Sequence, residues 1–160
     1  MTTLAITGHM DLTDTTVPLV RTALDRLLAA HASDSLTGVS CLARGADSVF
    51  AEAVLAAGGR LVAVIPSQDY RQVKVKTDHA ALFDQLAAAA TEVLVLDRVT
   101  ASREAYEAAN QVLITRADRL VAVWDGTPPS GKGGTADTVT LALDAGLPVD
   151  VVWPEGATRG

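Results

Sequence analysis

Four short stretches of this sequence carry residues able to hold an anion or move a proton. In "ITGHMD", Gly8 can let a backbone approach a ligand and His9 can donate to a phosphate. In "LARGAD", Arg44 and Gly45 lead into a helical pattern. A helix start offers free N–H groups and a partial positive charge to an anion. Asp47 can accept from sugar hydroxyls there, or serve as an ordinary first-turn acid. In "DYRQVKVK", Tyr70 can stack on a base while Arg71, Lys74 and Lys76 meet phosphates. The alternative is a solvated loop whose cations lie along the surface.

The fourth stretch, "GTPPSGKGG", matches the front of a phosphate-binding P-loop: Gly126, four residues, Gly131, Lys132. The next position should be Ser or Thr to hold a magnesium ion, and here it is Gly133. The following residues, Gly133, Gly134 and Thr135, make a better cradle. Two glycines leave the backbone permissive, and Thr135 can cap a helix or meet a phosphate oxygen. A long Gly-rich loop opening a helix is more often functional than not. Beyond the acids Asp47 and Asp137, no residue presents itself as catalytic, and none of these patterns is a metal site.

These residues need a scaffold. The chain has 160 residues, 49% of them hydrophobic, which suggests one domain with a real core. The expected domain spans 1–154, with 155–160 as a loose tail. Strand patterns fall at Leu4–Thr7, Leu36–Leu42, Arg60–Ile65, Glu92–Leu96, Arg119–Trp124 and Pro148–Trp153. Several are continuous apolar runs, as in strands covered on both faces. Helical patterns lie between them, the first with Val17, Val20, Leu24, Leu27 and Leu28 on one face and Asp14 or Thr15 as its cap. Pro66–Lys76 reads as a polar loop.

The alternation predicts an α/β fold: a three-layer, doubly wound, mainly parallel Rossmann-like sheet of about six strands with helices on both faces. Ligands of such sheets bind beyond the carboxyl ends of the strands. The P-loop normally follows the first strand, whereas this stretch follows the fifth. No GxGxxG is present at the first turn, so an ordinary dinucleotide fingerprint is absent.

The net charge is −6, with a pI near 4.9. Nonspecific nucleic-acid binders carry a basic face, so nucleic acid is not an expected partner. Cys41 is the lone cysteine, which leaves no internal disulfide and no cysteine-based zinc site. With no signal-peptide pattern and no long apolar run, the expected setting is the cytoplasm, without membrane contact.

Taken in order, "ITGHMDL", "LARGAD", "YEAANQVL" with Asn110, and "GGTADTV" followed by "ALDAGLPVDVV" resemble the SLOG superfamily. It joins LOG-type phosphoribohydrolases, DprA-type DNA-processing proteins and molybdenum-cofactor carriers. The resemblance implies a Rossmann-like sheet, a nucleotide or nucleotide-derived ligand, and a homo-oligomer. Carried across, Gly8, Arg44, Gly45, Asn110, Gly133, Gly134 and Thr135 would be ligand contacts. The hydrolase branch carries an acid three residues after the Thr; here that position is Thr138, and Asp137 is one residue off. A sensor or carrier is therefore expected. The alternative is a phosphoribohydrolase cleaving the N-glycosidic bond of nucleoside 5'-monophosphates, with Asp47 or Asp137 as the acid. One helix end contributes ~0.3–1 kcal/mol to anion binding, at most ~2. Micromolar affinity needs about 8 kcal/mol. Sugar, base and side chains must supply the rest.

Overall fold

Each apolar run in the sequence becomes a strand. The computed structural model describes residues 1–31, 35–128 and 134–160. In chain order the elements are β1 (Thr2–Gly8), α1 (Thr16–Ala29), β2 (Leu36–Ser40), α2 (Ala46–Ala56), β3 (Arg60–Ile65), α3 (Tyr70–Val73), α4 (Thr77–Ala89), β4 (Glu92–Val95), α5 (Arg103–Arg116), β5 (Arg119–Val123), α6 (Thr135–Asp144) and β6 (Val149–Val152). The six strands form one sheet in the order β4-β3-β2-β1-β5-β6, and every pairing is parallel. The chain steps outward from β1 to β4, then α5 returns and β5 pairs on the free side of β1. That reversal puts the topological switch point between β1 and β5.

Alternation along the strands sorts the core into two faces. Leu4 and Ile6 of β1 pack with Val20, Leu24 and Leu28 of α1 and with Phe50 and Val54 of α2. Ala5 turns the other way, to Leu113 of α5 and Val139 of α6. Leu61, Ala63 and Ile65 of β3 meet Ala51 of α2 and Phe83 and Leu86 of α4. Helices α1, α2 and α4 therefore cover one face, α5 and α6 the other. On α1 the buried positions 20, 24 and 28 repeat every four residues, one helical stripe, and all three are essentially inaccessible. Truncating Leu24 to Ala would cost ~2–5 kcal/mol.

Local chemistry departs from the sequence expectation in three places. Thr15 is the N-cap of α1, but its side chain makes no cap bond. The carbonyl of Thr13 accepts from the N–H groups of Thr16 and Val17 instead. The supposed loop Pro66–Lys76 contains α3, because Tyr70 is buried against Phe83 and Tyr106 and anchors the turn. Residues 155–160 fold back on the β1–α1 connection. Thr158 donates its N–H to Thr16 Oγ1 at 2.7 Å, and Arg159 forms an antiparallel bridge with Leu12.

Candidate functional site

The carboxyl ends of the strands frame a cleft of about 690 Å³. Gly8 and His9 enter it from the end of β1, Asp47 from α2, Asn110 from α5, and Gly134 and Thr135 from the start of α6. Tyr70, Lys74 and Lys76 border it on the side of β3.

The β2–α2 connection is held in one conformation by its own polar groups. Leu42 is fully buried with φ 58°, a left-handed conformation that costs a residue with a Cβ ~1–3 kcal/mol. Its N–H donates to Ser40 Oγ at 3.0 Å, and its carbonyl lies 3.0 Å from His79 Nε2. Ser40 Oγ donates in turn to the Asp47 carbonyl, and Ser48 Oγ to that of Ala43 at 2.7 Å. The result presents Cys41, Ala43 and Asp47 to the cleft.

Burial pushes the Asp47 carboxyl up to about 7, against the opposing pull of the Ala43 N–H. Burial, and next the charge of Asp47, pushes the Cys41 thiol up. The Tyr70 hydroxyl rises for the same two reasons in the same order. Burial also raises Tyr106, helped by Asp69 and Cys41. Near neutrality this wall of the cleft therefore offers protonated thiol and phenol groups beside a carboxyl able to change charge. Such a wall suits the uncharged polar part of a ligand, its sugar or base.

His9 is only 7% exposed. Its Nε2 accepts from the Asp125 N–H at 3.1 Å and lies 3.1 Å from Asp125 Oδ1, while its ring meets Trp153 edge-on. The Thr127 hydroxyl and N–H bind Asp125 Oδ1, and together with His9 they hold that carboxyl well below its ordinary range. Arg159 reaches the same carboxylate at 3.5 Å and binds Asp11 at 2.9 Å.

The glycines divide by role. A Cβ on Gly8 would collide with Ala46 Cβ and come within 2.8 Å of Val123 Cβ. Gly8 is small so that α2 and β5 can pack against it. Gly45 has φ 82°, and a Cβ there would lie 2.5 Å from the His9 carbonyl oxygen. The adjoining Ala46 N–H donates to that oxygen, so Gly45 serves a backbone crossing and does not line the cleft. Among the described residues, a Cβ on Gly134 would meet nothing within 4 Å. Gly134 is the N-cap of α6, and Thr135 is its first helical residue rather than its cap. Gly133, with Gly131 and Lys132, lies outside the described residues.

Arg44 stands apart from the main cleft. It is 56% exposed, pairs with Asp78 at 3.6 Å and borders an adjoining cavity of about 390 Å³. Asp137 is not among the residues lining either cavity. Thr138, where a hydrolase would carry its acid, is buried and donates its hydroxyl to the Gly134 carbonyl. The sequence reading missed Cys41, Tyr106, Asp125 and Arg159, all in or beside the cleft. Asp125 follows an apolar strand directly and was open to the strand-end rule. Arg159 carried no such signal, because it arrives only when the chain folds back.

An all-parallel sheet with helices on both faces and a cleft at its switch point defines the Rossmann-like class of α/β folds. No family model and no curated protein sequence matches the chain. Solved structures do. The DNA processing protein A (DprA) of Streptococcus pneumoniae superposes over 98% of this chain with TM-score 0.69 at 17% identity. The chain spans about half of it, 52%. Helicobacter pylori DprA, described for its single-stranded DNA binding mode, matches over 99% of this chain and 68% of its own, with TM-score 0.69 and 18% identity. The molybdenum cofactor carrier protein of Chlamydomonas reinhardtii matches over 94% of this chain and 75% of its own, with TM-score 0.59 and 19% identity. The chain thus shares its fold with DprA and the molybdenum cofactor carrier protein, two of the groups its ordered motifs resemble.

One expectation is overturned. Net acidity had made nucleic acid an unexpected partner, yet a protein of this fold is described with single-stranded DNA. The physical reason is that net charge averages over the whole surface, whereas binding depends on the local field. Lys74 and Lys76 stand at the mouth of this acidic protein's cleft. Among the described residues, no helix is long and apolar enough to cross a membrane.

Proposed function

We propose that this chain binds a nucleotide or nucleotide-derived ligand in the switch-point cleft, as a sensor or carrier. The phosphate sits at the start of α6, at Gly134 and Thr135, and the sugar and base lie toward Asp47 and Asn110. One observation carries the reading: an uncrowded helix start and a half-sheltered carboxyl share one cleft. The helix end supplies N–H donors and positive potential for the phosphate. Asp47 supplies an acceptor for ribose hydroxyls or base N–H groups. The fold supports a nucleotide-related ligand, since the proteins that share it include DprA and a molybdenum cofactor carrier. Asp47, Asn110, Gly134 and Thr135 are the proposed contacts. His9 and Gly8 shape the wall beside them. The test is thermal shift with AMP, ATP, GTP, ADP-ribose and NAD. At least one should raise the melting temperature, and Gly134→Val should abolish that rise.

A second reading has its own support. A carboxyl titrating at about 7 inside a cleft suits a general acid at neutral pH. Asp47 would then protonate the departing base of a nucleoside 5'-monophosphate as water attacks the sugar carbon. Release of free base from AMP or GMP, lost in Asp47→Asn, would favour it.

A further inference from the structure

Lys74 closes α3 and Lys76 precedes α4. Both border the main cleft, and both also border the adjoining 390 Å³ cavity. Among the described residues, neither has a carboxylate within ion-pair distance. That is unusual in its surroundings. Arg44, Arg71 and Arg159, the neighbouring arginines, are each paired with an acid. Asp11 borders both cavities as well, but Arg159 already neutralises it. Two uncompensated positive charges thus border both cavities in a protein of net charge −6.

The strand order fixes how far these lysines stand from the phosphate site at α6. The lysines follow β3 and the α6 start follows β5, with β2 and β1 between them. Three inter-strand spacings make about 14 Å, shortened by the reach of a lysine side chain. Asp47, after β2, lies between the two ends. A chain of phosphates running from α6 to the lysines would have to pass the Asp47 carboxyl, a group that accepts from hydroxyl and N–H donors rather than from phosphate oxygens. A nucleoside with a phosphate on each side fits this layout: one phosphate at α6, the sugar and base along Asp47, and the second phosphate at the lysines.

We propose that Lys74 and Lys76 form a second phosphate site, and that the ligand is a nucleoside flanked by two phosphates. This rests on the nucleotide reading above. The same chemistry occurs in a free nucleoside 3',5'-bisphosphate and within a nucleic-acid strand.

Titration calorimetry on the intact chain tests it with AMP, GMP, their 3',5'-bisphosphates, ATP, GTP and a short single-stranded oligonucleotide. The bisphosphate should bind about tenfold tighter than the matching monophosphate, the effect of one added charge-assisted contact. The triphosphate should lack that advantage. In Lys74→Gln with Lys76→Gln the advantage should vanish while monophosphate binding persists. Both side chains are exposed, so the melting temperature of the double variant should match the parent. An oligonucleotide binding tighter than the bisphosphate would identify a strand as the source; the reverse would identify the free nucleotide. Equal affinity for bisphosphate and monophosphate, or an advantage that survives the double substitution, overturns the second site alone. No binding by any of these ligands overturns it together with the nucleotide reading.

Discussion

His9 and Asp125 meet across the switch point of the sheet: one imidazole nitrogen lies 3.1 Å from both the backbone nitrogen and the Oδ1 of Asp125. This contact ties the connection after β1 to the connection after β5, the two segments that splay apart at the crevice. The neighbouring backbone bond from His9 N–H to the Val123 carbonyl continues the strand ladder to the same point.

Replacing His9 with Ala should therefore act through the cleft wall. The half-buried Asp125 N–H loses its acceptor and Trp153 loses its ring partner. The expected loss is ~1–3 kcal/mol, a fall in melting temperature of roughly 2–10 °C for a domain of this size. His9→Gln can keep an acceptor near the same place and should recover part of the loss. Equal melting temperatures for His9→Ala and the parent would show that the contact does not stabilise the fold.

Gly8 and Gly134 both line the cleft, but their substitutions should separate folding from binding. Gly8→Ala drives a methyl into Ala46 and Val123, an overpacking that costs ~1–3 kcal/mol. Gly134→Val meets no other described residue and should cost under about 1 kcal/mol. The branched side chain nevertheless stands over the α6 start and should remove ligand-induced stabilisation. Melting curves with and without nucleotide distinguish the two. A Gly134→Val protein that still responds to nucleotide would move the phosphate site elsewhere.

The fold-back of the C-terminal residues gives a third test. Thr16 is inaccessible to solvent, and its hydroxyl accepts the Thr158 N–H at 2.7 Å while lying 2.7 Å from Thr13 Oγ1. Thr16→Val keeps the shape and leaves the Thr158 N–H without that acceptor, for a cost of ~1–3 kcal/mol. Amide exchange at Thr158 should quicken more than at Leu24 in the α1 core. Uniform quickening would mean that the substitution loosens α1 itself.

Local pattern was enough to recover the sheet and its helices other than α3. "LVAVI" and "LVAVW" are buried on both sides, and the four-residue repeat of Val20, Leu24 and Leu28 marks one packed stripe. The strand-end rule pointed to Gly8, Asp47 and Thr135, which the structure places around one cleft. What escaped was settled by contacts distant in sequence. The smallness of Gly8 answers to Ala46 and Val123, and that of Gly45 to the His9 carbonyl. Tyr70 makes a helical turn of a polar stretch only because Phe83 and Tyr106 bury its ring. Arg159 reaches Asp11 across 148 residues of chain.

Asp47 supplies the pH test. Its carboxyl is raised from 3.8 to about 7 in the folded protein, with burial as the main cause. Between about pH 4 and pH 7 the unfolded chain has released this proton while the folded chain retains it. The folded state then binds more protons, so this group's contribution to stability falls as pH rises through that window and levels off above it. Asp47→Asn removes the effect. The variant should match the parent near pH 4 and exceed it near pH 8 by ~1 kcal/mol or more, about 2–4 °C in melting temperature. A difference that does not change with pH would mean that Asp47 is not sheltered. Ligand binding should run the other way. A ligand donating hydrogen bonds to Asp47 favours the ionised carboxylate, so parent affinity should rise from pH 6 to pH 8. In Asp47→Asn that rise should be gone, leaving the pH dependence of the ligand's own phosphate.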